Sequence, residues 1–396
     1  MIKLVTFGPG DDIYNYFGHN ALIVQDEAQQ VAHLYNFGMF SFGMDMLPSY
    51  MQGKLTFWVA DTPVRATFAH YIEHNRSIRV QELNLAPQQR AIMADALATK
   101  VLPENRTYLY DHYYDNCSTR LRDLIDQAIG GQFKQALDRP ARLNHRGHTR
   151  RYAEKDPVLD FALLFWMNDN MERPIKVWNE LFLPGELEQQ VAAMKYVDAA
   201  GKTVPLVATS YTVFEARRPP VPAVPPTTWP FMLLFGCGAG ALLCLTAWWL
   251  RRTRSWIARA LFGLEHVALG LSFGVLGTAG FLMWTLTEHV VTYRNENQLL
   301  ANPVTLLLLP LGIGIAFGSA RALSLARWSF YGLAAMSLAL VVLKLLPSFD
   351  QDTLLTMSLL LPLNLAGALA HHVLVRERLP VASTTVRSER TLESRA

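Results

Sequence analysis

The chain has 396 residues, of which 51% are hydrophobic and only 17% charged, with a net charge of +3 and three cysteines. A mean hydropathy of +0.13 is too high for an ordinary soluble enzyme and too low for a chain that is membrane throughout, so a polar part joined to a very apolar part fits best. The small net charge excludes a strongly basic nucleic-acid binder and an acidic disordered chain, and the cysteine count excludes a disulfide scaffold.

Met1 to Phe7 reads as a first β-strand, followed by a Gly-Pro-Gly turn. One lysine, a very short apolar run and two aspartates do not make an export signal. Phe17-Gly-His-Asn-Ala-Leu-Ile-Val places His19 at the mouth of an apolar strand. A polar turn at Gln25 to Gln30 leads to a neighbouring strand, Val31 to Phe37.

After the segment Tyr110 to Arg120, apolar residues recur at Leu121, Leu124, Ile125, Ala128 and Ile129, one face of a helix. Asp115 or Asn116 is its natural N-cap and Gly130-Gly131 its stop. Cys117, the one cysteine before the apolar half, then lies in the first turn. Unpaired backbone amides and the helix dipole there favour an anion, lowering a thiol pKa and offering donors to an oxyanion. The bland alternative is a small buried hydrophobe.

A thiol nucleophile needs a base, and His19 is the candidate. Asn36 and His33, on the next strand, are candidates to orient its ring. Asn36 is preferred because an amide accepts a hydrogen bond without titrating. His70, His74, His112, His145 and His148 receive no role; His145-x-x-His148 has ligand-like spacing but no partner motif, so no metal is expected.

Arg217 to Pro230, RRPPVPAVPPTTWP, blocks helix and sheet and favours an extended spacer. Five apolar runs follow: Trp229 to Leu250, Ile257 to Leu286, Pro303 to Ala320, Trp328 to Leu346 and Leu354 to Val375. A bilayer crossing needs about 20 mostly apolar residues, so five membrane helices are expected. Gly236/Gly240, Gly270/Gly274 and Gly314/Gly318 have the spacing of close helix packing, and Cys237 and Cys244 are read as packing too. Arg251, Arg252 and Arg254, Arg321 and Arg327, and Arg376 and Arg378 mark cytoplasmic ends. The part before the first span is then outside the cytoplasm, with Arg217 and Arg218 weakly opposed. Export requires a signal, so the native chain is expected to begin upstream of Met1. The expected division is 1–216 thiol domain, 217–230 linker, 229–378 membrane domain and 379–396 cytoplasmic tail.

Phe17-Gly-His-Asn-Ala-Leu, Tyr35-Asn-Phe-Gly-Met-Phe, Pro103-Glu-Asn-Arg-Thr-Tyr-Leu-Tyr-Asp, Asp115-Asn-Cys-Ser-Thr-Arg-Leu-Arg-Asp and Leu181-Phe-Leu-Pro resemble the Lnb N-terminal periplasmic domain family, membrane proteins of Gram-negative bacteria. Glu288-His-Val-Val-Thr-Tyr-Arg-Asn-Glu-Asn is similar to a histidine-and-asparagine loop of those proteins. The resemblance implies an α+β fold: a permuted papain-like soluble domain, of the NlpC/P60 or lecithin:retinol acyltransferase kind, followed by an all-α membrane domain. It implies a multi-pass inner-membrane protein with a periplasmic N-terminal domain that acylates lipoproteins without a cofactor. Cys117 becomes the nucleophile and His19 the base, with Asn36 the third member on the residue argument above. Asn116, Ser118 and Arg120 become oxyanion or substrate-binding candidates. His289, Asn295 and Asn297 are candidates to bind a lipid head group or to dock the soluble domain. The expected partners are a phospholipid acyl donor, a diacylated lipoprotein acceptor and the membrane, with no nucleic acid. The aromatic segments Met39 to Met44 and Phe161 to Met167 are read as core packing, with acyl-chain or bilayer contact the alternative. A cell-wall peptidase or amidase using the same pair, and a non-enzymatic envelope scaffold, are the alternatives.

Overall fold

The computed structural model describes residues 1–41, 49 and 52–375. The chain is α+β, with an N-terminal sheet domain and a C-terminal helical region. By contacts it divides into two compact units. One comprises residues 1–228, 279–298 and 344–356, and the other residues 229–278, 299–343 and 357–396.

In the first unit, β1 (Ile2–Phe7), β2 (His19–Asp26), β3 (Val31–Met39), β4 (Thr56–Pro63), β5 (Ile78–Leu83), β6 (Thr107–Leu109) and β9 (Val207–Phe214) form a sheet in the order β6-β4-β3-β2-β1-β5-β9. Every neighbouring pair is antiparallel. A separate hairpin joins β7 (Lys195–Val197) to β8 (Thr203–Pro205).

Alternate side chains of a strand point to opposite faces, and both faces of the central strands are covered. Leu4, Leu22, Tyr35 and Phe37 join a core with Leu121, Leu124 and Ile125 of the Cys117 helix. Val5, Phe7, Ala21, Ile23 and Leu34 join a second core with Tyr71. Tyr71 comes from α1 (Val64–Glu73). Two-sided burial explains why β1 and β2 read as nearly continuous apolar runs rather than alternating ones.

α2 (Pro87–Lys100) contributes Met93 and Leu97 to the first core. α3 (Cys117–Ala128) begins and ends where its pattern predicts. Asn116 is the cap, and Gly130 and Gly131 stop the helix with φ of 70° and 82°. α4 (His145–Ala153), α5 (Pro157–Trp166) and α6 (Pro184–Ala193) complete the unit's longer helices among the described residues. In Phe161 to Met167, Phe161, Leu164, Phe165 and Met167 are buried, the packing role expected of that segment. Met39 to Met44 extends beyond the described residues at Phe42.

Residues 215–228 contain no helix or strand, yet they are not a loose spacer. Arg142 donates to Ala223 O, Arg151 to Pro222 O and Arg150 to Pro226 O. Arg218 pairs with Asp11, which accounts for a cation that sits against the charge rule for topology.

Among the described residues four helices are long and apolar enough to cross a membrane: α7 (Trp229–Thr253), α8 (Trp256–Leu286), α10 (Ala320–Leu343) and α11 (Leu354–Leu374). α8 carries a π-turn at Gly270–Gly274. The expected third span is shorter than the sequence suggests. α9 (Pro303–Ala316) holds fourteen residues, which reach about 21 Å at 1.5 Å per residue against a hydrocarbon core of about 30 Å. Gly318, at φ 87°, ends it, so that glycine turns the chain rather than packing a helix face. α10 starts earlier than expected, and Arg321 and Arg327 lie within it instead of in a loop. The other glycines do pack: a Cβ on Gly236 would collide with Leu359, on Gly240 with Ala366, on Gly270 with Leu309 and on Gly274 with Leu306. Cys237 is exposed, and Cys244 donates to Ala366 O at 3.5 Å. Arg376, Arg378 and the tail lie outside the described residues.

Candidate active site

The site is built at the edge where β2 and β3 meet the start of α3. Gly18 precedes His19 with φ 83°, and a Cβ there would lie 2.8 Å from Phe7 O. Only glycine makes this turn without strain, and it delivers His19 to the first position of β2. Phe7, paired with His19 across β1 and β2, stacks on the ring.

Asn36 lies on β3, and its Oδ1 is 2.6 Å from His19 Nε2. An Nε2–H donated to that oxygen fixes the imidazole and leaves Nδ1 for the sulfur. His19 is near enough to the Cys117 thiol for its charge to act on the sulfur. The structure therefore brings Cys117, His19 and Asn36 into one connected row. His33 is elsewhere. It sits three residues earlier on β3 and binds Asp61 Oδ2 at 2.6 Å with half its side chain exposed.

Burial pushes the Cys117 thiol up, but the opposing contributions win. The charge of His19 and its hydrogen bond, the Asn20 backbone amide and the Ser118 hydroxyl bring it down to about 7. An ordinary thiol titrates near 8.5, so a substantial thiolate fraction is present at neutral pH.

The helix start is less open than its sequence suggests. Asn116 Oδ1 accepts from the Ser118 and Thr119 amides at 2.9 and 3.0 Å. Its Nδ2 donates to His112 O and Phe182 O. Asn116 is thus a cap and a staple, with no donor left for an oxyanion. Ser118 donates to Asn20 Oδ1 at 2.8 Å. Arg120 forms a two-pronged pair with Asp115 at 2.6 and 2.7 Å and lies 3.7 Å over the Tyr108 ring. The side-chain donors of Asn116 and Ser118 are thus committed, and Arg120 is tied to Asp115.

Asn20 is a site residue that the sequence reading passed over. Its side chain bridges Thr6 and Ser118, and its backbone amide helps to lower the Cys117 thiol. The available signal was its place directly after His19, a polar residue opening an otherwise apolar strand. Gly38 is another. At φ 84° it follows Asn36 within an irregularity of the β3–β4 ladder, and a Cβ there would meet the Tyr108 hydroxyl and Cys117 Cβ.

His289, Asn295 and Asn297 do not join this row. Asn295 and Asn297 donate their amides to Phe165 O at 2.8 and 3.0 Å, and Thr356 donates to Asn297. Their hydrogen-bonding groups hold residues 279–298 against α5. His289 contacts Thr287 at 2.7 Å, and burial holds its imidazole below the usual range. His148, of the histidine pair with ligand-like spacing, is held between Glu180 and Arg151.

A cavity of about 650 Å³ is lined by Phe7, Phe17, Gly18, Tyr152 and Pro184 with Arg79 and Lys155. It borders the turn that carries His19, but the three members of the row do not line it.

Residues 1–153 match the Lnb N-terminal periplasmic domain. That stretch of the chain includes β1 to β6, α3 and all three members of the row. No curated protein and no solved structure matches the chain. A periplasmic domain of the Lnb type beside four candidate membrane helices supports a membrane protein with a periplasmic N-terminus.

Proposed function

We propose that the protein is a thiol acyltransferase of the bacterial inner membrane, which moves an acyl chain from phospholipid to the N-terminal amine of diacylated lipoproteins. The observation that carries this reading is the Cys117–His19–Asn36 row, with a thiol brought to about 7. Histidine on a strand preceding cysteine at a helix start is the order expected of a permuted papain-like enzyme.

His19 takes the thiol proton, and Asn36 holds the ring of the resulting imidazolium. The sulfur attacks the ester carbonyl of the donor. A lysophospholipid leaves with the proton from His19, and the acyl group stays on Cys117 as a thioester. The lipoprotein amine then attacks that thioester, giving its proton back through His19, and the thiol is restored. Both substrates and the enzyme occupy one bilayer, which raises their effective concentration. No step requires a metal or an organic cofactor.

Reconstitution of the purified full chain with phospholipid and a diacyl lipopeptide tests this. Wild-type protein is expected to add one acyl group to the peptide amine. Cys117→Ser and His19→Ala are each expected to abolish transfer while keeping the thermal melting of the wild type. Release of peptide fragments from cell-wall material, with no lipid product, would instead establish an amidase or peptidase.

A further inference from the structure

An acyl transfer by Cys117 must stabilise a negative oxygen, and most nearby donors are already committed. The cap consumes the Ser118 and Thr119 amides, and Ser118 and Arg120 bind Asn20 and Asp115. Among the first-turn amides, that of Cys117 itself has no partner among the described residues. One amide alone is a poor oxyanion site.

A second donor stands across the gap. Tyr108, on β6, is only 8% exposed, and among the described residues its buried hydroxyl donates to no acceptor, with the Gly38 backbone amide near its oxygen. A buried hydroxyl left unpaired costs free energy comparable to a lost hydrogen bond, so a native site that keeps one open calls for a ligand. The Tyr108 oxygen lies beside Gly38. A Cβ placed on Gly38 would be 3.8 Å from the Tyr108 oxygen and 3.9 Å from Cys117 Cβ. The Tyr108 hydroxyl and the Cys117 side chain therefore border the same space beside Gly38, whose φ of 84° disfavours any side chain there. Arg120 lies over the Tyr108 ring and fixes it from the other side. Burial, and then the charge of Cys117, push the phenol up, so it remains a neutral donor across the physiological range.

We propose that Tyr108 is a catalytic residue whose hydroxyl, with the Cys117 amide, holds the oxyanion of the acyl intermediate. This rests on the thiol acyl-transfer reading above. As the sulfur–carbon bond forms, the carbonyl π pair moves onto oxygen, and the Tyr108 O–H and Cys117 N–H donate to it. The pair returns as the carbon–oxygen bond to the leaving alcohol breaks, and the His19 imidazolium protonates that alcohol. The thioester remains, and the same two donors serve the second half of the cycle.

The test compares two reactions of the same sulfur on the full chain. Acylation by phospholipid vesicles or by p-nitrophenyl butyrate passes through an oxyanion, whereas alkylation by iodoacetamide does not. Tyr108→Phe is expected to slow thioester formation ~100-fold, the loss typical of one oxyanion donor, and to leave alkylation at the wild-type rate. Equal acylation by Tyr108→Phe and wild type overturns the inference, as does a parallel fall of both reactions. Tyr108→difluorotyrosine keeps the shape and makes the phenol more acidic. Its acylation alone is expected to fall as pH rises and the donor ionises, and a profile identical to wild type would overturn the inference even if the phenylalanine variant did not fold. A wild-type protein that forms no thioester from either ester refutes the acyl-transfer reading itself, whereas a Tyr108→Phe result at the wild-type rate refutes only the role of Tyr108.

Discussion

At the scale of single residues, the account rests on a sulfur whose ionisation is set by its neighbours. Burial opposes the thiolate, and the charge and hydrogen bond of His19 supply the largest compensation. The rate of iodoacetamide alkylation of Cys117 is therefore expected to rise with pH through a midpoint of about 7. In His19→Ala burial remains while the compensation is gone, so the midpoint moves upward, to the ordinary thiol range or beyond it. A midpoint unchanged by that substitution would show that His19 does not control the sulfur. Cys117, His19 and Asn36 were all legible in the sequence because each is a polar residue at an end or edge of an apolar element. Tyr108 was not, because a tyrosine in a three-residue strand looks like core until its buried hydroxyl is seen to donate to no acceptor among the described residues.

At the scale of elements, α3 depends on its first turn. Asn116 caps two amides and ties the segment to His112 and Phe182. A lost N-cap typically costs about 0.5–2 kcal/mol, and two buried carbonyls left unpaired add to it. Asn116→Ala is expected to lower stability by about 2–4 kcal/mol, read as a fall in the denaturation midpoint. In the membrane unit, α8 and α9 touch through glycine. A Cβ on Gly263 would lie 2.5 Å from Gly312 O, and one on Gly312 the same distance from Gly263 O. Gly263→Leu is expected to abolish recovery of folded protein in detergent, whereas Gly238→Leu, which meets nothing within 4 Å, is expected to leave the yield intact. Helix α3 and strands β1 to β3 could be read from periodicity, caps and turn residues. The length of α9 could not, because an apolar run records burial or lipid contact and does not say where the backbone turns.

At the scale of the whole molecule, the sequence divides the chain at its proline-rich stretch, whereas residues 1–228 share one compact unit with two later segments. What periodicity cannot show is that residues 279–298 and 344–356, which include ends of membrane helices, belong to that same unit. Their asparagine and glutamine side chains bind carbonyls distant in sequence, such as Phe165 O and Met167 O, and long-range pairings of this kind leave no local pattern. The proline-rich stretch is likewise docked by arginines from α4 and the segment before it. Residues 215–228 are accordingly expected to resist limited proteolysis in the folded protein. A combined Arg142→Ala and Arg150→Ala variant should open them to cleavage, and rapid cutting of the wild type there would contradict the docked arrangement.

The central claim is that Cys117 carries an acyl group taken from a membrane lipid. Incubating the reconstituted protein with isotopically labelled phospholipid, without acceptor, and sequencing its peptides by mass spectrometry tests it most directly. The account predicts one labelled acyl chain on the Cys117 peptide, released by hydroxylamine and transferred to a diacyl lipopeptide added afterwards. An unlabelled Cys117 in a protein that nevertheless acylates the lipopeptide would show that the sulfur is not the carrier.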